Sequence, residues 1–136
     1  MSRFSPIRLT ACAILAFAGM QQAWADVVVI VSSKSTATTM TADEISQIFL
    51  GKSTAMKPVN NASPIRSQFY KLVTGRDEAQ VKATWAKLVF TGKALPPKEM
   101  TSTADVVKAV AADPNAIGYV ERSAVDPSVK VIYEVK

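Results

Sequence analysis

Five consecutive β-formers, Val27-Val28-Val29-Ile30-Val31, constrain this chain more than any other feature. A strand with one wet face alternates apolar and polar residues. A run that is apolar at every position must bury both of its faces. It therefore predicts an interior strand of a sheet with cover on both sides. The strand ends in a Ser/Thr-rich loop over residues 32–39. Beyond it, helical and extended patterns alternate. Thr41 is placed to cap a first helix, with Glu44 three residues on as in a capping box. Ile45, Ile48 and Phe49 form its apolar face, and Gly51 is placed to end it in a left-handed turn. A short strand follows over residues 57–60, then a second helix with Ser63 as cap and Pro64 in the first turn. Ile65, Phe69, Leu72 and Val73 share its inner face, and Thr74-Gly75-Arg76 stops it. Asp77 caps a third helix with Val81, Trp85, Leu88 and Val89 inward. Thr91-Gly92-Lys93 and Pro96-Pro97 read as loop. Ser102 and Asp105 open a fourth helix with Val106, Val107 and Val110 inward. Residues 117–120 form a strand whose Gly118 implies close approach of another backbone or a bulky side chain. Val129, Val131, Tyr133 and Val135 alternate with Lys130, Glu134 and Lys136, which predicts a last strand with one wet side. The expectation is an α/β domain: a mixed sheet covered by helices in three αβα layers.

Residues 1–25 carry a different pattern. Arg3 and Arg8 precede an apolar run over residues 9–20, and Ala23-Trp24-Ala25 is an A-x-A cleavage pattern. These are the marks of a secretory signal peptide, which predicts a cleaved leader and a single periplasmic domain over residues 26–136. The apolar run is too short for a stable transmembrane helix, and no later run is longer. Leu9-Thr10-Ala11-Cys12 resembles a lipoprotein box, but most of the apolar run comes after Cys12 rather than before it. Cleavage after Ala25 would leave no cysteine, hence no disulfide and no thiol chemistry. Taking Arg3 and Arg8 from the 16 basic residues leaves 14 against 11 acidic ones, a net charge of +3 for residues 26–136. The lysines are scattered and not interleaved with aromatics, which argues against a nucleic-acid partner.

Gly51-Lys52-Ser53-Thr54 imitates part of a phosphate-binding P-loop, but it lies at the end of a helix. A P-loop needs its glycines and lysine at a helix start, where free N–H groups cradle phosphate. The sequence contains no histidine. The acidic residues are dispersed, and the neighbours Asp43-Glu44 and Asp77-Glu78 fall in first helical turns, where negative charge suits the helix dipole. No general acid–base constellation is visible, so a binding or interaction role is expected rather than catalysis, with no metal or cofactor. The best candidate site is Ser63-Pro64-Ile65-Arg66-Ser67. A helix start with a serine, Arg66 and Ser67 makes a plausible oxyanion cradle. The alternative is an ordinary capped helix with Arg66 paired to a nearby carboxylate. Ser33, Lys34 and Ser35, at the carboxyl end of the first strand, are the second candidate group, because ligands of open α/β sheets bind in such crevices. The alternative there is a solvated polar loop.

The segment Met40 to Lys52, reading Met-Thr-x-x-Glu-Ile-x-x-Ile-Phe-x-Gly-Lys, resembles the entry to the second lobe of the phosphate-binding proteins that serve ABC importers. Asn115-Ala116-Ile117-Gly118-Tyr119-Val120 resembles the turn and strand near that lobe's end, and Ile65-Arg66-Ser67-Gln68-Phe69 falls where the family places its ligand-binding helix. Trp85, Phe90-Thr91-Gly92-Lys93 and Pro96-Pro97 resemble a group of short exported relatives. The resemblance implies a single periplasmic-binding-protein-like lobe that binds phosphate or another small oxyanion and serves an ABC permease or a sensor protein. The family holds its ligand between two lobes, so the resemblance implies weak affinity for one lobe unless two chains pair, and a homodimer that rebuilds a cleft is a further expectation. The family's Gly-Ser-Gly-Thr loop is replaced here by Asn61-Ala62-Ser63-Pro64, and Arg66 does not occupy the position of the family's ligand arginine. An opposing expectation is a lobe without ligand that docks on an envelope or sensor partner.

Overall fold

The computed structural model describes residues 26–136. The leader expected over residues 1–25, with the discounted lipoprotein-like box inside it, lies outside the described residues. The elements run β1 (Val27–Ser32), α1 (Ala42–Phe49), β2 (Lys57–Asn61), α2 (Ile65–Phe69), α3 (Glu78–Phe90), β3 (Lys98–Met100), α4 (Thr103–Ala112), β4 (Ala116–Glu121) and β5 (Val129–Glu134). The five strands form one sheet in the order β3-β2-β4-β1-β5. β2 is parallel to β3 and β4, whereas β1 is antiparallel to both β4 and β5. The sheet is therefore mixed, as expected. No helix among the described residues is long and apolar enough to cross a membrane.

Every residue of β1 is buried, as the unbroken apolar run requires. Val27, Val29 and Val31 face one core, with Ile45, Phe49 and Phe69 of α1 and α2. Val28 and Ile30 face the other, with Val106 and Val110 of α4. These two cores on opposite faces are the three-layer arrangement. The first is centred on aromatics: Phe69 stacks on Tyr119 at 3.9 Å, and Phe49 meets Phe69 edge-on at 4.8 Å.

Local signals act where the sequence placed them. Thr41 Oγ1 accepts from the Glu44 N–H, and Ser102 Oγ accepts from the Asp105 N–H. Gly51, at φ +74°, closes α1: its own N–H donates to the Ile48 carbonyl and that of Lys52 to the Gln47 carbonyl. Asp77 and Gln80 form a reciprocal capping box at α3. Gly118 is where α4 crosses the sheet, and a Cβ there would stand 2.9 Å from Val110 Cγ2.

Four expectations need correction. Ser63 does not cap α2. Pro64 is already helical, and no side chain caps that start. The turn is held instead by Asn61, whose Oδ1 accepts from the Ser63 N–H at 3.1 Å. β3, a fifth strand where about four were expected, lies just after the Pro96-Pro97 loop in residues that received no assignment, because three residues carry no periodicity to recognise. β5 lacks a wet face. A bulge at Ile132 shifts its register, so Val131 pairs with Ile30 and Tyr133 with Val29, and Val129 and Val131 serve one core while Ile132 serves the other. Finally, α3 buries less than its pattern implies. Val81 is buried and Trp85 is half-buried, but Val89 is 41% and Phe90 92% exposed. α3 leans on the end of α1, where Trp85 Nε1 donates to the Phe49 carbonyl at 2.7 Å. Leu88 packs there too, over Gly51, while Val89 and Phe90 face outward.

Candidate functional site

Strand direction separates the two predicted groups of ligand residues. Val31 lies opposite Ile117 and Val27 opposite Glu121, whereas Lys57 lies opposite Ala116. The end of β1 therefore sits beside the beginning of β2. Ser33, Lys34 and Ser35 occupy one end of the sheet, and Ser63, Arg66 and Ser67 the other, a strand's length of roughly 15–20 Å apart. The structure does not bring them into one site.

At the first end, the serines are used in local turns. Ser32 is buried, and its hydroxyl donates to the Ala111 carbonyl at 3.3 Å and accepts from the Lys34 N–H. Ser35 is also buried: its hydroxyl accepts from the Ala37 N–H, and its carbonyl accepts from Lys130 Nζ at 2.7 Å. Ser33 and Lys34 are exposed. Ser32 and Ser35 thus anchor a loop on which Ser33 and Lys34 are open to solvent.

The second end is built by the carboxyl ends of the parallel strands β2, β3 and β4. Asn60 and Asn61, both buried, close β2. Tyr70 Oη donates to Asn60 Oδ1 at 2.8 Å. Tyr119 Oη, in β4, accepts from the Asn61 N–H at 3.2 Å. Asn61 Nδ2 donates to Thr103 Oγ1 at 3.1 Å. These bonds tie Tyr70 at the end of α2, Tyr119 of β4 and Thr103 at the start of α4 to the carboxyl end of β2. Burial pushes the Tyr70 hydroxyl up to about 12, against the counter-pull of Arg66. Burial raises the Tyr119 hydroxyl further, so both tyrosines are neutral donors or acceptors at ordinary pH.

Arg66 projects from α2 to two carboxylates. Its Nη2 lies 3.3 Å from Glu78 Oε2 at the start of α3, and its Nη1 lies 3.1 Å from Glu99 Oε1 in β3. Burial opposes its charge, but Glu78, helped by the two tyrosines and Glu99, holds the guanidinium above its usual range. The carboxylate-paired alternative is the one observed. Ser67 is exposed beside it. Among the described residues, Ser63 Oγ is the buried side-chain polar atom left without a hydrogen-bond partner. Such an orphan hydroxyl costs about 1–3 kcal/mol unless something meets it.

Sequence reasoning missed Asn60, Asn61, Glu78 and Glu99. The Asn-Asn pair before Ser63-Pro64 is a recognisable Asx-turn signal. Nothing local marks the two glutamates, which meet Arg66 only in the fold.

From this ion cluster an open groove of about 950 Å³ runs along α3, lined by Trp85, Val89 and Phe90 of that helix and by Pro96 and Pro97 of the loop after it. It is apolar along its length and charged at its head.

No family model and no curated protein matches this sequence. Solved structures do. An ABC-type phosphate transport receptor from Vibrio cholerae superposes with a TM-score of 0.62 at 18% identity. A phosphate ABC transporter substrate-binding protein from Clostridium perfringens, crystallised with bound phosphate, gives 0.64 at 20%. PstS from Borrelia burgdorferi gives 0.59 at 12%. This chain has the fold of one receptor lobe. Each superposition covers 79% of the chain but only 44–46% of the larger protein, so the chain spans less than half the length of these receptors.

Proposed function

We propose that this chain works in the periplasm as a single solute-binding-like lobe. It takes a small oxyanion of the phosphate type at the start of α2 and presents it to an ABC permease or a sensor protein. The observation that carries this reading is the fold shared with phosphate-transport receptors, one of which holds phosphate. Two features of this chain support the location. Ser63 Oγ is buried there without a partner, and Arg66 is the cation of the same turn. Ser63, Arg66 and Ser67 are the proposed contacts. The loop of Ser33, Lys34 and Ser35 is too far away to share them. An incoming anion must compete with Glu78 and Glu99 for Arg66, and one open lobe buries little of it, so affinity is weak. Calorimetric titration with phosphate tests the reading. Saturable binding that is lost in Arg66→Ala, with the far-ultraviolet spectrum unchanged, is expected. Equal affinity in the variant would remove Arg66 from the site.

A second reading has its own observation. Phe90 and Leu95 are 92% and 87% exposed beside the groove, and exposed apolar surface of that kind marks docking. In that reading the lobe binds no small ligand and serves as an interaction module for an envelope or sensor protein.

A further inference from the structure

We infer that the groove along α3 is the contact surface for a second copy of this chain, with two α3 helices packed antiparallel about a two-fold axis. The inference rests on the single-lobe reading, since pairing would supply the missing wall over Arg66.

A two-fold contact uses one patch on both partners, so the patch must complement itself in shape and charge. This one does both. It carries a hollow, walled by Trp85, Val89 and Pro96, and on the same face a projecting Phe90 at the end of α3. Reversing the second helix places the Phe90 of each copy toward the head of the other's groove. Charge points the same way. The groove is lined by two cations, Arg66 and Lys82, and two anions, Glu78 and Glu99, and so is neutral. Residues 26–136 as a whole carry +3, so two copies repel each other over most approaches and least through this face. A strongly acidic or basic partner would call for a charged groove. The groove starts at the Arg66 cluster, so a copy seated on it would cover the proposed anion contact, which one lobe leaves open.

Sedimentation of the purified protein over a wide concentration range tests this. Mass is expected to rise with concentration toward that of a dimer. Phe90→Asp combined with Leu95→Asp is expected to hold it at the monomer, with the melting temperature unchanged in dilute solution, where the parent is also monomeric, because both side chains are already exposed. Ala86→Cys lies on the groove side of α3, near its middle, and is expected to form a disulfide-linked dimer on mild oxidation; Ala83→Cys, exposed and outside the groove lining, is not. A monomer at every concentration, or a dimer that survives the double aspartate variant, would overturn the proposal. Capture of a different protein by the groove, with no self-association, would overturn it in favour of the second reading above. These readouts report mass and cross-links rather than anion binding, so pairing and phosphate recognition can fail separately.

Discussion

Tyr70 and Gly118 show how single residues here are set by what packs on them. Tyr70 is buried and donates its hydroxyl to Asn60, and its pKa rises from 10.0 to about 12. The unfolded chain loses this proton first as pH rises, so the native state binds more protons between these two values. The stability that Tyr70 contributes is thus fully present below about pH 10 and is lost as pH rises toward about 12. Denaturant midpoints measured across that interval should fall, and Tyr70→Phe should flatten part of the fall. An unchanged slope in the variant would assign the loss to other groups. At Gly118 the constraint is steric. A Cβ would stand 2.9 Å from Val110 Cγ2 and 3.0 Å from Val106 Cγ1. Gly118→Val should therefore cost at least about 2 kcal/mol by overpacking, read from urea unfolding. A neutral result would mean that α4 can slide on the sheet. Arg66 is the residue on which the functional reading depends, and its two carboxylate partners are why binding there is expected to be weak.

Helices α1 and α3 carry similar apolar content and are used differently. Phe49 of α1 is buried against Phe69 and Tyr119, and truncation to alanine should cost about 3–5 kcal/mol. Phe90 of α3 is 92% exposed, and in dilute solution Phe90→Ala should lie within about 0.5 kcal/mol of the parent. Unfolding of the two variants side by side checks both; a large cost at Phe90 would mean that α3 closes onto the sheet. This contrast also marks how far elements could be read from the sequence. β1, α1, α4 and β4 announce themselves through local signals: an unbroken apolar run, capping residues and glycines at turns. In α3 the spacing of Val81, Trp85, Leu88 and Val89 specifies an apolar face but not whether anything covers it. The bulge at Ile132 escapes a reading by alternation, because strict alternation assumes that register is constant along β5.

For the whole molecule, chain direction decides what the site can contain. The serine loop after β1 looked like a strand-end crevice, and the start of α2 like an oxyanion cradle. Sequence does not state that β1 runs against β2, and that reversal places the two at opposite ends of the sheet. The fold class was legible because alternating patterns dictate layers. The polar cluster of Asn60, Asn61, Tyr119, Glu78 and Glu99 was not, because it is assembled from four elements distant in the chain. The measurement that tests the account most directly is a map of backbone amide resonances during a phosphate titration. Progressive shifts confined to residues 63–67 and their neighbours in β2 and β4, with residues 33–35 unmoved, are predicted. Shifts centred on residues 33–35, or no shifts anywhere in a folded sample, would contradict it.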